Sequence, residues 1–195
     1  TGFKFIAEQI KSFEANQAKS FVFGFEESYG YLVQPFVRDK DAIQSLVLLS
    51  EIAAHYKANN QTLFDAIQEI YAEFGYFDEK TISVTMSGIS GVEKIKQLMS
   101  DIRTNIPLNF ADVAVDYYED YSTQKRHFIA GDSESIDLPP SNVLKFFLHD
   151  GSWIAIRPSG TEPKVKFYLG VKGANHQETT EKINKFEQAV QSFIN

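Results

Sequence analysis

Five consecutive positions, Arg157-Pro158-Ser159-Gly160-Thr161, set a guanidinium and two hydroxyls around a glycine, between the strand-like runs WIAIRP and KVKFYLGV. An arginine fork can clamp two oxygens of a phosphate. Ser159 and Thr161 each add a hydroxyl donor. Gly160 lets the backbone turn so that successive N–H groups converge on an anion. Pro158 and Pro163 restrict the loop and lower the ordering cost of binding. Lys164 and Lys166 add positive potential from the adjoining strand. No helix opens at this loop, so it is not a P-loop. A plain surface turn between two strands accounts for the same residues, and composition leaves both readings open.

A second constellation lies near the start, in GFEESYGY, residues 24–31. Glu26 and Glu27 can accept hydrogen bonds from adjacent sugar hydroxyls, and Ser28 can donate or accept. The apolar run SFVFGF, residues 20–25, would hold them on a firm edge. A solvated acidic pair is the competing reading.

These residues need elements to hold them. Phe3, Ile6, Ala7, Ile10 and Phe13 recur at helical spacing over 3–16. A helix is expected from about Asp41 to Lys57, with Ile43, Leu46, Val47, Ser50 and Ala54 inward. Another should start near Thr62, where Asp65 follows at capping distance. Its inner face would hold Leu63, Phe64, Ile67, Ile70, Tyr71 and Phe74, and Gly75 should end it. One convincing strand cannot make a sheet, so this region is expected to need further sequence upstream.

The second region reads as strands at TISVTM, ADVAVDYY, VLKFFLH, WIAIRP and KVKFYLGV. A helix follows the first strand, with a Ser90/Glu93 capping box and a Val92, Ile95, Met99, Ile102 stripe. Another follows the last, opened by Asn175 and Glu178, with Ile183, Phe186, Val190 and Phe193 inside. This makes a compact α+β domain. The hinge between regions is expected over 75–80.

The chain has 195 residues, a net charge of -7, 43% hydrophobic residues and no cysteine. Its 17 Phe and 9 Tyr are enough for a packed core. Acidity argues against general nucleic-acid or membrane binding, but not against one basic pocket. Without cysteine there is no disulfide and no thiolate nucleophile.

RPSGTEPKVKFY resembles the phosphate-binding loop in the last domain of the phosphohexomutases, the superfamily of phosphoglucomutase and phosphomannomutase. GFEESYGY is similar to that family's sugar-specificity loop, and TGFKFI and FVRDKDA also resemble family sequence. The resemblance runs in order along essentially the whole chain. It implies an α+β protein. Residues 1–75 would form part of an α/β third domain, and 76–195 a C-terminal antiparallel-sheet domain packed with helices. It also implies that Glu26, Ser28 and Lys40 contact the sugar, while Arg157, Ser159, Gly160 and Thr161 hold its phosphate. Glu27, Arg38, Lys164 and Lys166 are expected in support. EESYG, with Tyr29 where many phosphomannomutase-like members have Gly then His, lies closer to the phosphoglucomutase side.

The implied reaction interconverts glucose 1- and 6-phosphate through a phosphoserine and glucose 1,6-bisphosphate, the latter as intermediate or activator. Mannose phosphate or another hexose phosphate is the alternative substrate. The family's Ser-His phosphoserine loop and Asp-rich magnesium loop are not found here. The resemblance therefore places Mg2+ and the phosphate carrier in N-terminal domains of the same polypeptide. No catalytic residue and no metal ligand are expected in this chain, which by itself should be inactive. Asp116 and Asp120 read as surface acids. Hexose phosphates are the expected partners, with no nucleic acid and no membrane, and the location is expected to be cytoplasmic. Two rivals stand beside this reading: a non-enzymatic phosphosugar-binding module, and an acidic interaction domain without a ligand.

Overall fold

The computed structural model describes the chain except at Thr1, Ala18, Glu27, Ser28, Ser87, Ile89, Thr161 and Asn195. The chain divides into two compact units between Ile70 and Tyr71.

The first unit opens with helix α1 (Lys4–Asn16), followed by β1 (Gly24–Phe25), β2 (Tyr31–Leu32), α2 (Ala42–Ala58) and α3 (Leu63–Phe74), whose last turn crosses the division. Of the expected strand over 20–25, only Gly24 and Phe25 pair, and they do so antiparallel with Leu32 and Tyr31. Phe3, Ile10 and Leu32 form a small core, with Ile6, Phe21 and Val37 packed against it. Asp41 caps α2 by accepting from the Ile43 and Gln44 amides at 2.9 and 3.0 Å. Thr62 and Asp65 cap α3 reciprocally. Asp65 accepts from the Thr62 amide at 2.7 Å, and the Thr62 hydroxyl accepts from the Asp65 amide at 3.2 Å.

The expected inner faces of α2 and α3 are not inner. Ile43 is 72% exposed and Phe64 70%, and α2 contributes no buried residue. Periodicity shows which side of a helix is apolar, but not what covers it. A helix apolar on most sides is normally covered all round.

The second unit holds β3 (Tyr76–Thr85), α4 (Gly91–Thr104), β4 (Asn109–Phe110), β5 (Val113–Asp120), β6 (Lys125–Phe128), β7 (Ser133–Ser135), β8 (Leu144–Leu148), β9 (Trp153–Pro158), β10 (Lys164–Gly173) and α5 (His176–Gln191). Seven strands lie in the order β3-β10-β9-β8-β5-β6-β7, and β4 pairs with β5. Every pairing is antiparallel. Residues 76–80, expected as a hinge, are instead the first half of β3, paired with β10 from Tyr76 onward. YFDEK lacks alternation, so only its partner strand identifies it as β structure.

The sheet buries Leu144, Phe146 and Leu148 from β8, Ile154 and Ile156 from β9, and Val165, Phe167, Leu169 and Val171 from β10. Ile95, Leu98, Met99 and Ile102 of α4 and Ile183, Phe186 and Val190 of α5 pack on that face. Each fully buried phenylalanine contributes about 1.5–3 kcal/mol. Val92, expected in the α4 stripe, is exposed, and Leu98 takes the buried role.

The Asn175 cap forms, its Oδ1 accepting from the Glu178 amide at 2.9 Å. The Ser90 cap does not. Ser90 already has helical backbone, φ -82° and ψ -2°, and makes no side-chain cap bond. An N-cap side chain reaches back to the first turn from extended backbone, as at Asn175 with φ -159° and ψ 172°.

Candidate functional site

Strand alternation decides which residues of the second unit's loop face outward. Ile154, Ile156, Val165 and Phe167 point into the core. Arg157 and Lys166 must therefore emerge on the sheet face turned away from α4 and α5. Register sets them directly opposite one another: Arg157 pairs with Lys166, and Pro158 with Val165. Both side chains are exposed. Neither makes an ion pair among the described residues, whereas Lys164 pairs with Glu162 at 3.1 Å. Like charges directly opposite in a ladder are destabilising.

The β9–β10 loop is braced from within. The Ser159 amide donates to the Lys164 carbonyl at 2.7 Å, and the Lys164 amide to the Glu162 carbonyl at 2.7 Å. The Glu162 amide donates to Ser159 Oγ at 3.2 Å. These bonds occupy three backbone N–H groups, so an anion nest here has fewer donors than the sequence suggested. The Met86 amide donates to the Pro163 carbonyl at 2.9 Å, tying the loop to the residue after β3. A Cβ at Gly160 would meet nothing within 4 Å among the described residues. Thr161, expected as a hydroxyl donor, lies outside the described residues.

The first unit carries the other constellation on the β1–β2 hairpin. The Glu26 amide donates to the Gly30 carbonyl at 2.9 Å and closes the turn. Tyr29 supplies its left-handed residue at φ 63°. Glu26 is 12% exposed at its side chain, and its Oε1 lies 3.4 Å from Lys40 Nζ. Lys40 also pairs with Asp39 Oδ1 at 3.2 Å, and its ammonium sits 5.9 Å from the Phe3 ring centroid. The Asp39 carboxylate, with a smaller pull from Glu26, holds the Lys40 ammonium above the usual lysine range. The Lys40 amide and ammonium in turn hold Asp39 below the usual carboxylate range. Glu27 and Ser28, expected beside Glu26, lie outside the described residues.

Helix α2 positions this group. The Asp41 amide donates to the Tyr31 carbonyl at 2.8 Å, joining the helix start to β2. Gln44 Oε1 accepts from the Val33 and Gln34 amides at 3.2 and 2.7 Å. Arg38 is committed elsewhere in the same unit, with Nη2 bonded to both Glu14 carboxylate oxygens at 2.6 Å. The structure thus brings Glu26 and Lys40 together. Asp39, which sequence reasoning passed over, is a second carboxylate partner of Lys40. Its signal was adjacency to Lys40 in RDKD.

Asp120 corrects its reading as a surface acid. It is 6% exposed and receives Arg103 Nε at 2.9 Å and Nη2 at 3.2 Å. Burial works to raise its pKa, but the bonds from Arg103 and Ser122 outweigh it and hold the carboxyl below the usual range. The bulge between Val115 and Tyr117 shifts the facing of the residues that follow, which alternation alone does not foresee. Glu119, equally buried, is bonded by Arg126 and Tyr121. Among the described residues no three His, Cys, Asp or Glu side chains cluster as metal ligands. Among the described residues no helix is long and apolar enough to cross a membrane.

Residues 1–74 match the family model "Phosphoglucomutase/phosphomannomutase, alpha/beta/alpha domain III", and residues 49–185 match "Phosphoglucomutase/phosphomannomutase, C-terminal domain". A phosphoglucomutase of Staphylococcus aureus (strain bovine RF122 / ET3-1) is 41% identical over 185 residues, covering 94% of this chain and 33% of the relative. A phosphoglucomutase of Staphylococcus haemolyticus (strain JCSC1435) is 42% identical over 186 residues, covering 95% and 33%. The chain thus spans about one third of the length of these curated relatives. Among solved structures, the open form of the Paramecium exocytosis-sensitive phosphoprotein pp63/parafusin, itself described as a phosphoglucomutase, superposes with a TM-score of 0.64. It is 18% identical and covers 99% of this chain and 33% of its own, a likeness of fold alone.

Proposed function

The chain belongs to the phosphoglucomutase/phosphomannomutase family, and from that premise we propose that the full-length protein is a phosphoglucomutase. It interconverts glucose 1-phosphate and glucose 6-phosphate through an enzyme phosphoserine and a bound bisphosphate. One observation carries the role of this chain. Arg157 and Lys166 oppose each other in register without a counter-charge among the described residues. A sheet tolerates such a pair more readily when an anion sits between the two cations, and a sugar phosphate supplies that charge.

In this reading Arg157, with Lys166 beside it, grips the phosphate that is not being transferred. Ser159 and Thr161 add hydroxyl donors, and Gly160 leaves the backbone accessible. Glu26 and Ser28 take the sugar hydroxyls, and Lys40 contacts the substrate next to Glu26. These residues contribute orientation and charge stabilisation, which dominate phosphoryl transfer. The carboxylates among the described residues do not gather into a set that fits a divalent cation. The family's magnesium and the phosphate-carrying serine belong to the rest of the full-length protein, and the chain alone interconverts nothing. A cytoplasmic location goes with this reading, because charged hexose phosphates do not cross bilayers unaided.

Steady-state kinetics of the full-length protein on glucose 1-phosphate, mannose 1-phosphate and N-acetylglucosamine 1-phosphate test the proposal. The expected result is the highest kcat/KM for glucose 1-phosphate. Preference for another sugar would overturn the specificity, and inactivity on all three would overturn the enzyme reading.

A further inference from the structure

Gly30 is not explained by the backbone of its turn. It does not adopt the left-handed conformation that favours glycine, and Tyr29 fills that role. Its surroundings explain it instead. A Cβ at Gly30 would stand 2.5 Å from Lys40 Cδ, 2.6 Å from Glu26 Oε1 and 2.9 Å from Glu26 Cγ. Real Cβ atoms essentially never approach other atoms that closely. The missing side chain is therefore the space through which the Lys40 stem passes on its way to the Glu26 carboxylate.

We propose that Gly30 is a positioning residue of the sugar site, kept bare so that Lys40 and Glu26 can lie against each other. This rests on the reading that both belong to that site. Glu26 is nearly covered and has little room to move. A methyl group at position 30 would push mainly on Lys40, whose side chain is half exposed. The ammonium would lose its place 3.4 Å from Glu26 Oε1, and a largely buried carboxylate would lose its counter-charge. Both groups would then meet the sugar from displaced positions. Misplacement by about an ångström reduces rates by about a hundredfold.

The test uses the full-length protein and Gly30→Ala, Lys40→Met, the double variant Glu26→Ala/Lys40→Ala, and that double variant with Gly30→Ala added. Kinetics on glucose 1-phosphate and thermal melting are read for each. Gly30→Ala should lower kcat/KM by about ten- to a hundredfold. Adding Gly30→Ala to the double variant should leave its melting temperature unchanged, because the space has been cleared. If Gly30→Ala alone does not fold, its folding in the cleared background supports the proposal, and its failure there overturns it. An equal drop in melting temperature in both backgrounds would mark a backbone requirement and also overturn it. Normal kcat/KM for Gly30→Ala beside an impaired Lys40→Met would sink this inference alone. Normal kinetics for Lys40→Met and for the double variant would remove both residues from the site, and the inference would fall with that reading.

Discussion

Replacing Arg157 by alanine in the full-length protein should separate ligand binding from stability. Arg157 is exposed at the end of β9 and directly opposes Lys166. Like charges so placed destabilise by about 0.2–1 kcal/mol. Arg157→Ala removes that repulsion and no buried contact, so the melting temperature should hold or rise by a few degrees at most. The effect on catalysis should be large. One hydrogen bond to a charged group contributes about 1.5–3 kcal/mol, so its loss should lower kcat/KM by roughly 12- to 160-fold. A two-pronged grip would lose more. Arg157→Lys keeps the charge without the planar fork and should recover only part of the loss. Steady-state kinetics on glucose 1-phosphate and a melting curve read both quantities from the same preparation. A phosphate grip by Arg157 is refuted if Arg157→Ala keeps kcat/KM within about threefold of wild type. It is refuted equally if the main defect is a collapsed fold, since that would make Arg157 a structural residue.

Three further substitutions probe the second unit's ion pair and helix starts. Asp120→Asn should destabilise it by about 3 kcal/mol, because Arg103 is left partly buried without its counter-charge. The folded pKa of Asp120 lies below its unfolded value of about 3.9, so its contribution is complete above that value and is lost as pH falls through the folded pKa. The difference between wild type and Asp120→Asn in denaturant titrations should accordingly shrink below about pH 4, and a constant gap down to pH 2 would contradict the pairing. Asn175→Ala should cost about 1 kcal/mol by removing the α5 cap. Ser90→Ala, at a helix start without a side-chain cap bond, should change stability by less than about 0.5 kcal/mol. Melting curves that rank these two substitutions in the opposite order would refute the capping assignments.

Much of the second unit was legible because its central strands β8, β9 and β10 bury one side against helices on a single face. Alternation in WIAIRP and KVKFYLGV assigns Ile154, Ile156, Val165 and Phe167 to the core, and that alone sends Arg157 outward. Asn175 and Thr62 announce their helices through bonds made within four residues, which local sequence controls. β6 and β7 escaped because KRHF and SES show no alternation, and only pairing with β5 and with each other makes them strands. The apolar faces of α2 and α3 were equally legible, yet their burial was not, because cover is supplied by other parts of a fold.

The sequence by itself determined the residue chemistry of both loops, the helix starts at Asp41, Thr62 and Asn175, and the inward side of the central strands. These follow from side-chain type and from contacts over a few positions. Tertiary structure alone decided that Arg157 stands opposite Lys166, that Glu26 is covered and meets Lys40, that Gly30 is the gap between them, and that Asp120 is buried against Arg103. Each of these depends on the register of two strands, a bulge, or the packing of residues ten or more positions apart. No local propensity encodes such distances; they appear only when the backbone groups and apolar side chains of separate segments are satisfied together.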